Sequence, residues 1–111
     1  KNRNRIEIFW CKDKNKWNLN RLKKNFKGKN VYITFDVDSF DSSIMPATGT
    51  PEPGGLFWND VLPIIKKVCQ IGNIVGVDIN ELAPIKNFNS YNFLVAKLAY
   101  KILSYTFEFK R

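Results

Sequence analysis

Residues 31–41 read VYITFDVDSFD, an apolar, β-branched run that ends in three aspartates. Alternate residues of an extended strand point to the same face, so Asp36 and Asp38 would lie side by side at its carboxyl end. A carboxylate beside a buried strand needs a cation or hydrogen bonds, and ligation by oxygen alone favours magnesium, calcium or manganese. The stretch therefore predicts a buried strand over Val31–Asp38 with an acidic metal site at its end. The alternative is that one aspartate caps the following turn and the other is solvated.

Residues 45–55 read MPATGTPEPGG, with three prolines and three glycines in eleven positions. This composition excludes a helix or a central strand and predicts a shaped loop. In α/β folds, ligands bind at the carboxyl ends of the strands, where such loops lie. A plain connector is the alternative, although a connector rarely needs so much fixed backbone.

The remaining elements are predicted from apolar periodicity, caps and breakers. The first two are a strand over Ile6–Cys11 and a basic helix over Leu19–Phe26 with its cap near Asn18. A second helix is predicted over Trp58–Ile71, with Asn59 or Asp60 near its start, Pro63 in its first turn and Gly72 at its end. A strand over Ile74–Leu82 follows, and then a helix over Ser90–Tyr105 with Phe93, Ala96, Leu98 and Ile102 among its apolar positions. This order predicts an α/β fold, a parallel sheet flanked by helices in three layers. With 111 residues and few strands, the chain is expected to be a partial domain with an exposed sheet edge.

Positive charge is concentrated at the start of the chain. Residues 1–30 hold eleven lysines and arginines against two acids, whereas residues 31–111 hold seven against eight. A basic nucleic-acid-binding module is one interpretation, but no binding motif supports it and solvated basic faces are common. No apolar run approaches the roughly 18 residues of a membrane span, so no membrane partner is expected. Cys11 and Cys69 lack metal-ligand spacing and indicate a reducing compartment.

The acidic stretch and the loop together resemble the ureohydrolase family, which includes arginase and agmatinase. The family signature reads Ser-Phe-Asp-x-Asp-x-x-Asp-Pro and then Pro-x-x-Gly-Thr-Pro-x-x-Gly-Gly, and this chain has TFDVDSFDS at residues 34–42 and PATGTPEPGG at residues 46–55. The segment VGVDINELAP at residues 75–84 is similar to a later strand of the family, and with FLVAKLAYK at residues 93–101 it looks most like agmatinases. The similarity covers residues 31–106, with Thr34 in place of serine and Ser42 in place of proline.

The resemblance implies roles for four residues. Asp36 and Asp38 would be ligands of two manganese ions, Glu81 would hold the substrate guanidinium, and Thr50 would lie beside the substrate. Two metal ions roughly 3.5–4 Å apart lower the pKa of water between them. A planar cation is best bound by a carboxylate that offers two coplanar acceptors. The alternative for Glu81 is an exposed charge at a strand end, and the resemblance assigns no further catalytic residue in this chain.

The function implied by the resemblance is that of the C-terminal part of a manganese-dependent agmatinase. Such an enzyme hydrolyses agmatine to putrescine and urea in polyamine biosynthesis, and an arginase or a guanidinobutyrase-type amidinohydrolase stays open. The family also requires a Gly-Gly-x-His and an Asp-Ala-His-x-Asp segment, whereas this chain contains no histidine. We therefore expect the 111 residues to be a piece of a longer cytoplasmic, homo-oligomeric enzyme and to be inactive alone.

Two other classes of protein also contain Asp-x-Asp sequences, and the residues around Asp36 and Asp38 fit them poorly. Phosphoaspartate phosphatases continue with threonine or valine and a glycine-rich turn, which Ser39-Phe40-Asp41 does not match. An EF-hand calcium loop starting at Asp36 would need glycine at position 41 and glutamate at position 47, where the chain has Asp41 and Ala47. A metal-binding module without catalysis remains open.

Overall fold

Two parallel strands form the sheet of this chain, which a computed structural model describes over residues 5–110. Strand β1 covers Asn30–Asp36 and strand β2 covers Asn73–Asn80, and their register places Asp36 opposite Asn80. Parallel neighbours cannot be joined by a tight hairpin and need a long crossover. The crossover here carries the loop and a helix, so the predicted α/β architecture with a parallel sheet is confirmed.

Helix α2 covers Trp58–Ile71, which are the bounds that the sequence predicts. Its first turn is capped by the Asp60 carboxylate, which accepts the Phe57 backbone N–H at 2.8 Å. The helix ends at Gly72, where a Cβ atom would lie 2.6 Å from Cγ2 of Val31, so glycine is required by the close approach of β1. Pro63 lies in the second turn of the helix rather than in the first.

The other helices differ from their predicted bounds only at one end each. Helix α1 covers Arg21–Phe26, because Asn18 accepts the Asn20 backbone N–H at 3.0 Å and the helix starts after that turn. Helix α3 covers Ser90–Glu108 and is one turn longer than predicted. None of the helices described over residues 5–110 has the length and apolar content to cross a membrane.

The predicted strand over Ile6–Cys11 is wrong. The structure has irregular backbone there, followed by a short 3-10 helix at Cys11–Lys16. Alternating apolar residues form a strand only when another strand pairs with them. Within residues 5–110, β1 and β2 pair with each other and with no further strand, so Ile6 and Ile8 stay exposed.

One face of the sheet and helices α2 and α3 enclose the core. The core side chains are at most 4% exposed, and they are Val37, Phe40, Met45, Ala47, Val61, Ile65, Cys69, Leu98 and Ile102. Ile33, Phe35, Val77 and Ile79 of the strands pack against them. The opposite face carries Tyr32 and Thr34 and is exposed. The described residues thus show two of the three predicted layers, the sheet and the helices on one side of it.

The core predicts that two leucines of α3 contribute very differently to the free energy of unfolding. Leu98 is 0% exposed and Leu103 is 53% exposed, although both are apolar residues of the same helix. Leu98→Ala is expected to lower the free energy of unfolding by about 2–5 kcal/mol, because it removes buried surface and leaves a cavity. Leu103→Ala, the matched control, should change it by about 0.5 kcal/mol or less. Urea denaturation measures both, and equal losses would contradict this description of the core.

Candidate functional site

The two aspartates predicted as metal ligands lie where β1 ends. The strand stops at Asp36, two residues earlier than predicted, and Val37–Ser39 form a 3-10 turn. Oδ1 of Asp36 accepts the backbone N–H of Asp38 at 3.0 Å and so caps this turn. A capped turn, and not the strand alternation that the sequence suggested, therefore sets the position of Asp38 relative to Asp36.

Each of these carboxylates uses one oxygen in a structural hydrogen bond. Oδ1 of Asp36 caps the turn, and Oδ2 of Asp38 accepts the Thr50 hydroxyl at 2.9 Å. The other oxygen of each aspartate accepts no hydrogen bond from residues 5–110. A hard divalent cation such as manganese prefers oxygen ligands of this kind. The described residues contain no group of three histidine, cysteine, aspartate or glutamate side chains placed to hold a metal ion. The pair thus fits part of a coordination shell.

Glu81 follows β2 at the same edge of the sheet. Its neighbour Asn80 is opposite Asp36 in the register. Glu81 is exposed, makes no side-chain hydrogen bond or ion pair within residues 5–110, and has a left-handed backbone with φ of 70°. After it, Leu82 packs on the core and the next backbone N–H, of Ala83, donates to the carbonyl of Ala47 at 2.8 Å. The carboxylate is therefore free at the edge where the aspartates lie.

The glycine-proline loop is joined to the end of β1 through Asp41. The Asp41 carboxylate accepts the hydroxyl and the backbone N–H of Ser43 and the N–H groups of Gly54 and Gly55. These bonds, those from Ser43 first, stabilise the ionised form and lower the pKa of Asp41 to about 2. No role was predicted for Asp41 from the sequence, although its carboxylate holds the loop.

The low pKa of Asp41 predicts how the loop responds to acid. Its pKa is about 2 in the folded chain and ordinarily 3.8, so its stabilising contribution is present above pH 3.8 and is lost as the pH falls through about 2. Carbon-13 NMR of the Asp41 carboxyl is expected to show this low midpoint. Ser43→Ala should raise the midpoint, whereas Ser104→Ala, in α3, should not. A parent midpoint at 3.8 would contradict the hydrogen-bond pattern.

A second polar group on the sheet was missed by the sequence analysis. Asp78 accepts the hydroxyls of Thr34 at 2.6 Å and Tyr32 at 3.0 Å, and the amide of Asn80 at 2.5 Å. Hydrogen bonds from Thr34, then Tyr32, lower the pKa of Asp78, and the bond to Asp78 raises the pKa of Tyr32. The sequence carries a signal for this group: Tyr32 and Thr34, and likewise Asp78 and Asn80, are polar residues at i and i+2 on neighbouring strands. Such pairs point to the same face of a sheet.

Comparisons with known proteins agree with this geometry. A family model described as the arginase family matches residues 2–104. The N(1)-aminopropylagmatine ureohydrolase of Synechocystis sp. is 38% identical over 109 residues, which are 96% of this chain and 35% of that protein. The agmatinase of Chromobacterium violaceum is 48% identical over 63 residues, 57% of this chain and 19% of that protein. The crystal structure of the agmatine ureohydrolase of Thermoplasma volcanium superposes with a TM-score of 0.76 at 29% identity, covering 95% of this chain and 36% of that chain. The chain thus spans about a third of the length of these relatives or less.

Proposed function

Because the chain belongs to the arginase family, we propose that it forms the C-terminal part of a manganese-dependent ureohydrolase that converts agmatine to putrescine and urea. We also propose that the complete protein is a cytoplasmic homo-oligomer. The observation that carries the proposal is the parallel register of the sheet. It puts Asp36 opposite Asn80, so the two aspartates and Glu81 meet at one edge although they are far apart in the sequence.

The family resemblance implies a role for each residue of this edge, and the chemistry of each side chain suits that role. Asp36 and Asp38 would hold the metal ions through the oxygens that are free of hydrogen bonds. When bound, a pair of manganese ions supplies Lewis acidity and lowers the pKa of water to near neutrality. Glu81 would orient the planar guanidinium of the substrate through two parallel hydrogen bonds. Thr50, bonded to Asp38, would form the side of the site next to the substrate.

A second candidate substrate is favoured by one comparison. The relative that aligns over 96% of this chain is named for aminopropylagmatine, which carries the guanidinium of agmatine on a longer amine. Both substrates present the same group to Glu81, and they differ at the far end. Comparing kcat/KM for agmatine, aminopropylagmatine, arginine and guanidinobutyrate would distinguish the members of this class.

The experiment that tests the proposal begins with the coding frame upstream of Lys1. We expect it to encode Gly-Gly-x-His and Asp-Ala-His-x-Asp segments, and its complete product to release urea and putrescine from agmatine in a manganese-dependent reaction. Release of phosphate from phosphoesters, or no product from any guanidino compound, would contradict the proposed function.

The 111-residue chain itself is expected to release no urea, because two carboxylates cannot complete a site for two manganese ions. The assay is urea formation from agmatine with added manganese, with the complete product as the positive control. Manganese-dependent turnover by the 111 residues alone would show that the ligand set is not the one proposed.

A further inference from the structure

We propose that Asp41 is a positioning residue that holds the loop of residues 42–55 so that the Thr50 hydroxyl lies on Asp38. Its effect on the loop stands by itself, and its effect on catalysis rests on the proposed function. Asp41 is the third aspartate of the acidic stretch, and it is assigned no role as a metal ligand or in substrate contact.

The Asp41 carboxylate joins the two ends of the loop. Oδ1 accepts the backbone N–H of Ser43 at 2.9 Å and the Ser43 hydroxyl at 2.5 Å, at the start of the loop. Oδ2 accepts the N–H groups of Gly54 at 2.8 Å and Gly55 at 3.2 Å, at its end. Four donors on one carboxylate favour its ionised form, because that form only accepts hydrogen bonds, and such charge-assisted bonds are roughly twice as strong as neutral ones.

The two glycines allow this closure. Gly54 has a left-handed φ of +82°, which turns successive N–H groups towards the same oxygen. A Cβ atom on Gly55 would lie 2.5 Å from the backbone nitrogen of Asp41 and 2.6 Å from the carbonyl carbon of Phe40. The end of the loop therefore lies directly on Phe40 and Asp41, which follow the 3-10 turn at Val37–Ser39. A side chain at Gly55 would push the loop away from these two residues.

Backbone hydrogen bonds complete the closure around the carboxylate. The Asp41 N–H donates to the Leu56 carbonyl at 2.8 Å, and the Leu56 N–H donates to the Ser39 carbonyl at 2.9 Å. Within the loop, the Ser42 N–H donates to the Glu52 carbonyl at 3.0 Å. Thr50 lies between these anchored ends, and its hydroxyl reaches Oδ2 of Asp38 at 2.9 Å. Loss of the Asp41 carboxylate would remove the side-chain hydrogen bonds at both ends of the segment that carries Thr50 and leave only these backbone bonds to hold it.

The test compares Asp41→Asn with the parent chain by NMR. The amide of asparagine presents N–H donors in place of one of the two acceptor oxygens that the loop requires, so we expect loss of the NOE between the Thr50 methyl group and the Asp38 Hβ atoms. We also expect exchange of the Ser42 amide to become about tenfold faster or more. The Gly72 amide, bonded to the Val68 carbonyl at 2.9 Å at the end of α2, lies outside the loop and should change much less.

Two further variants make the result decisive. Asp13→Asn, on the 3-10 helix at Cys11–Lys16, is the matched control and should keep the Thr50–Asp38 contact. Ser43→Ala removes one of the four donors to Asp41 and should give a smaller increase in the exchange rate of the Ser42 amide. This variant tests the role of Asp41 if Asp41→Asn does not fold. A folded Asp41→Asn chain that keeps the NOE, or a Ser43→Ala chain with parental exchange, would overturn the proposal.

The catalytic consequence is measured in the complete protein. We expect Asp41→Asn to lower kcat/KM for agmatine by about 10- to 100-fold, the usual range for a residue that orients a metal ligand, with the manganese content reduced less than by Asp38→Asn. Unchanged kcat/KM in an active protein would overturn the catalytic part. If the complete protein releases no urea at all, the proposed function fails, and the NMR comparison still decides the role of Asp41.

Discussion

Replacing Glu81 with glutamine in the complete protein is expected to lower kcat/KM for agmatine by about 10²- to 10⁴-fold. The substitution keeps the size of the side chain and removes its charge. The guanidinium would lose two charge-assisted hydrogen bonds, each contributing roughly 1.5–3 kcal/mol. Because Glu81 is exposed and has no side-chain partner within residues 5–110, its replacement should leave the stability of the fold nearly unchanged.

The control for Glu81→Gln is Glu108→Gln, which removes the same charge at the end of α3. Steady-state urea release measures activity, and thermal denaturation confirms that both variants are folded. A fall in kcat/KM confined to Glu81→Gln would support its contact with the substrate. Equal activity of the two variants would show that Glu81 is only an exposed charge at the end of a strand.

Asp38→Asn is expected to lower manganese-dependent activity by about 10³-fold, because metal ions contribute several kcal/mol to such reactions. Asparagine still offers an oxygen to the Thr50 hydroxyl, so the loop contact at 2.9 Å should survive in the variant. What is lost is the negative charge that a divalent cation needs. The bound manganese should therefore fall, while the Thr50 NOE stays.

Elemental analysis of the purified complete protein measures the manganese content of the Asp38→Asn variant. Asp13→Asn is the control here as well, since the Asp13 side chain is 44% exposed and its ion pair with Lys16 is long, at 4.0 Å. Full manganese content and full activity in Asp38→Asn would contradict its role as a metal ligand. Loss of manganese together with loss of the Thr50 contact would place the effect in the loop instead.

The elements that the sequence predicted well carry their own local signals. Helix α2 was predicted to its ends because Asp60 caps its first turn and Gly72 stops it, and both effects act within a few residues. The end of β1 was misplaced because the Asp36 side chain bonds to the Asp38 backbone and turns the chain there. Apolar alternation carries no information about that bond. The strand at Ile6–Cys11 failed for a different reason, since pairing depends on a neighbour elsewhere in the chain.

The sequence by itself determined the residue types of the site: the aspartates after an apolar run, the glycine-proline loop and the Glu81 segment. Only the tertiary structure decided that they share one edge of a sheet, because the parallel register of β1 and β2 is set by the core between the sheet and helices α2 and α3. Likewise, the sequence places Asp41 near a loop, but its bonds to Gly54 and Gly55 exist only after the loop closes. Local signals arise from neighbours along the chain, whereas a site depends on packing that joins distant segments.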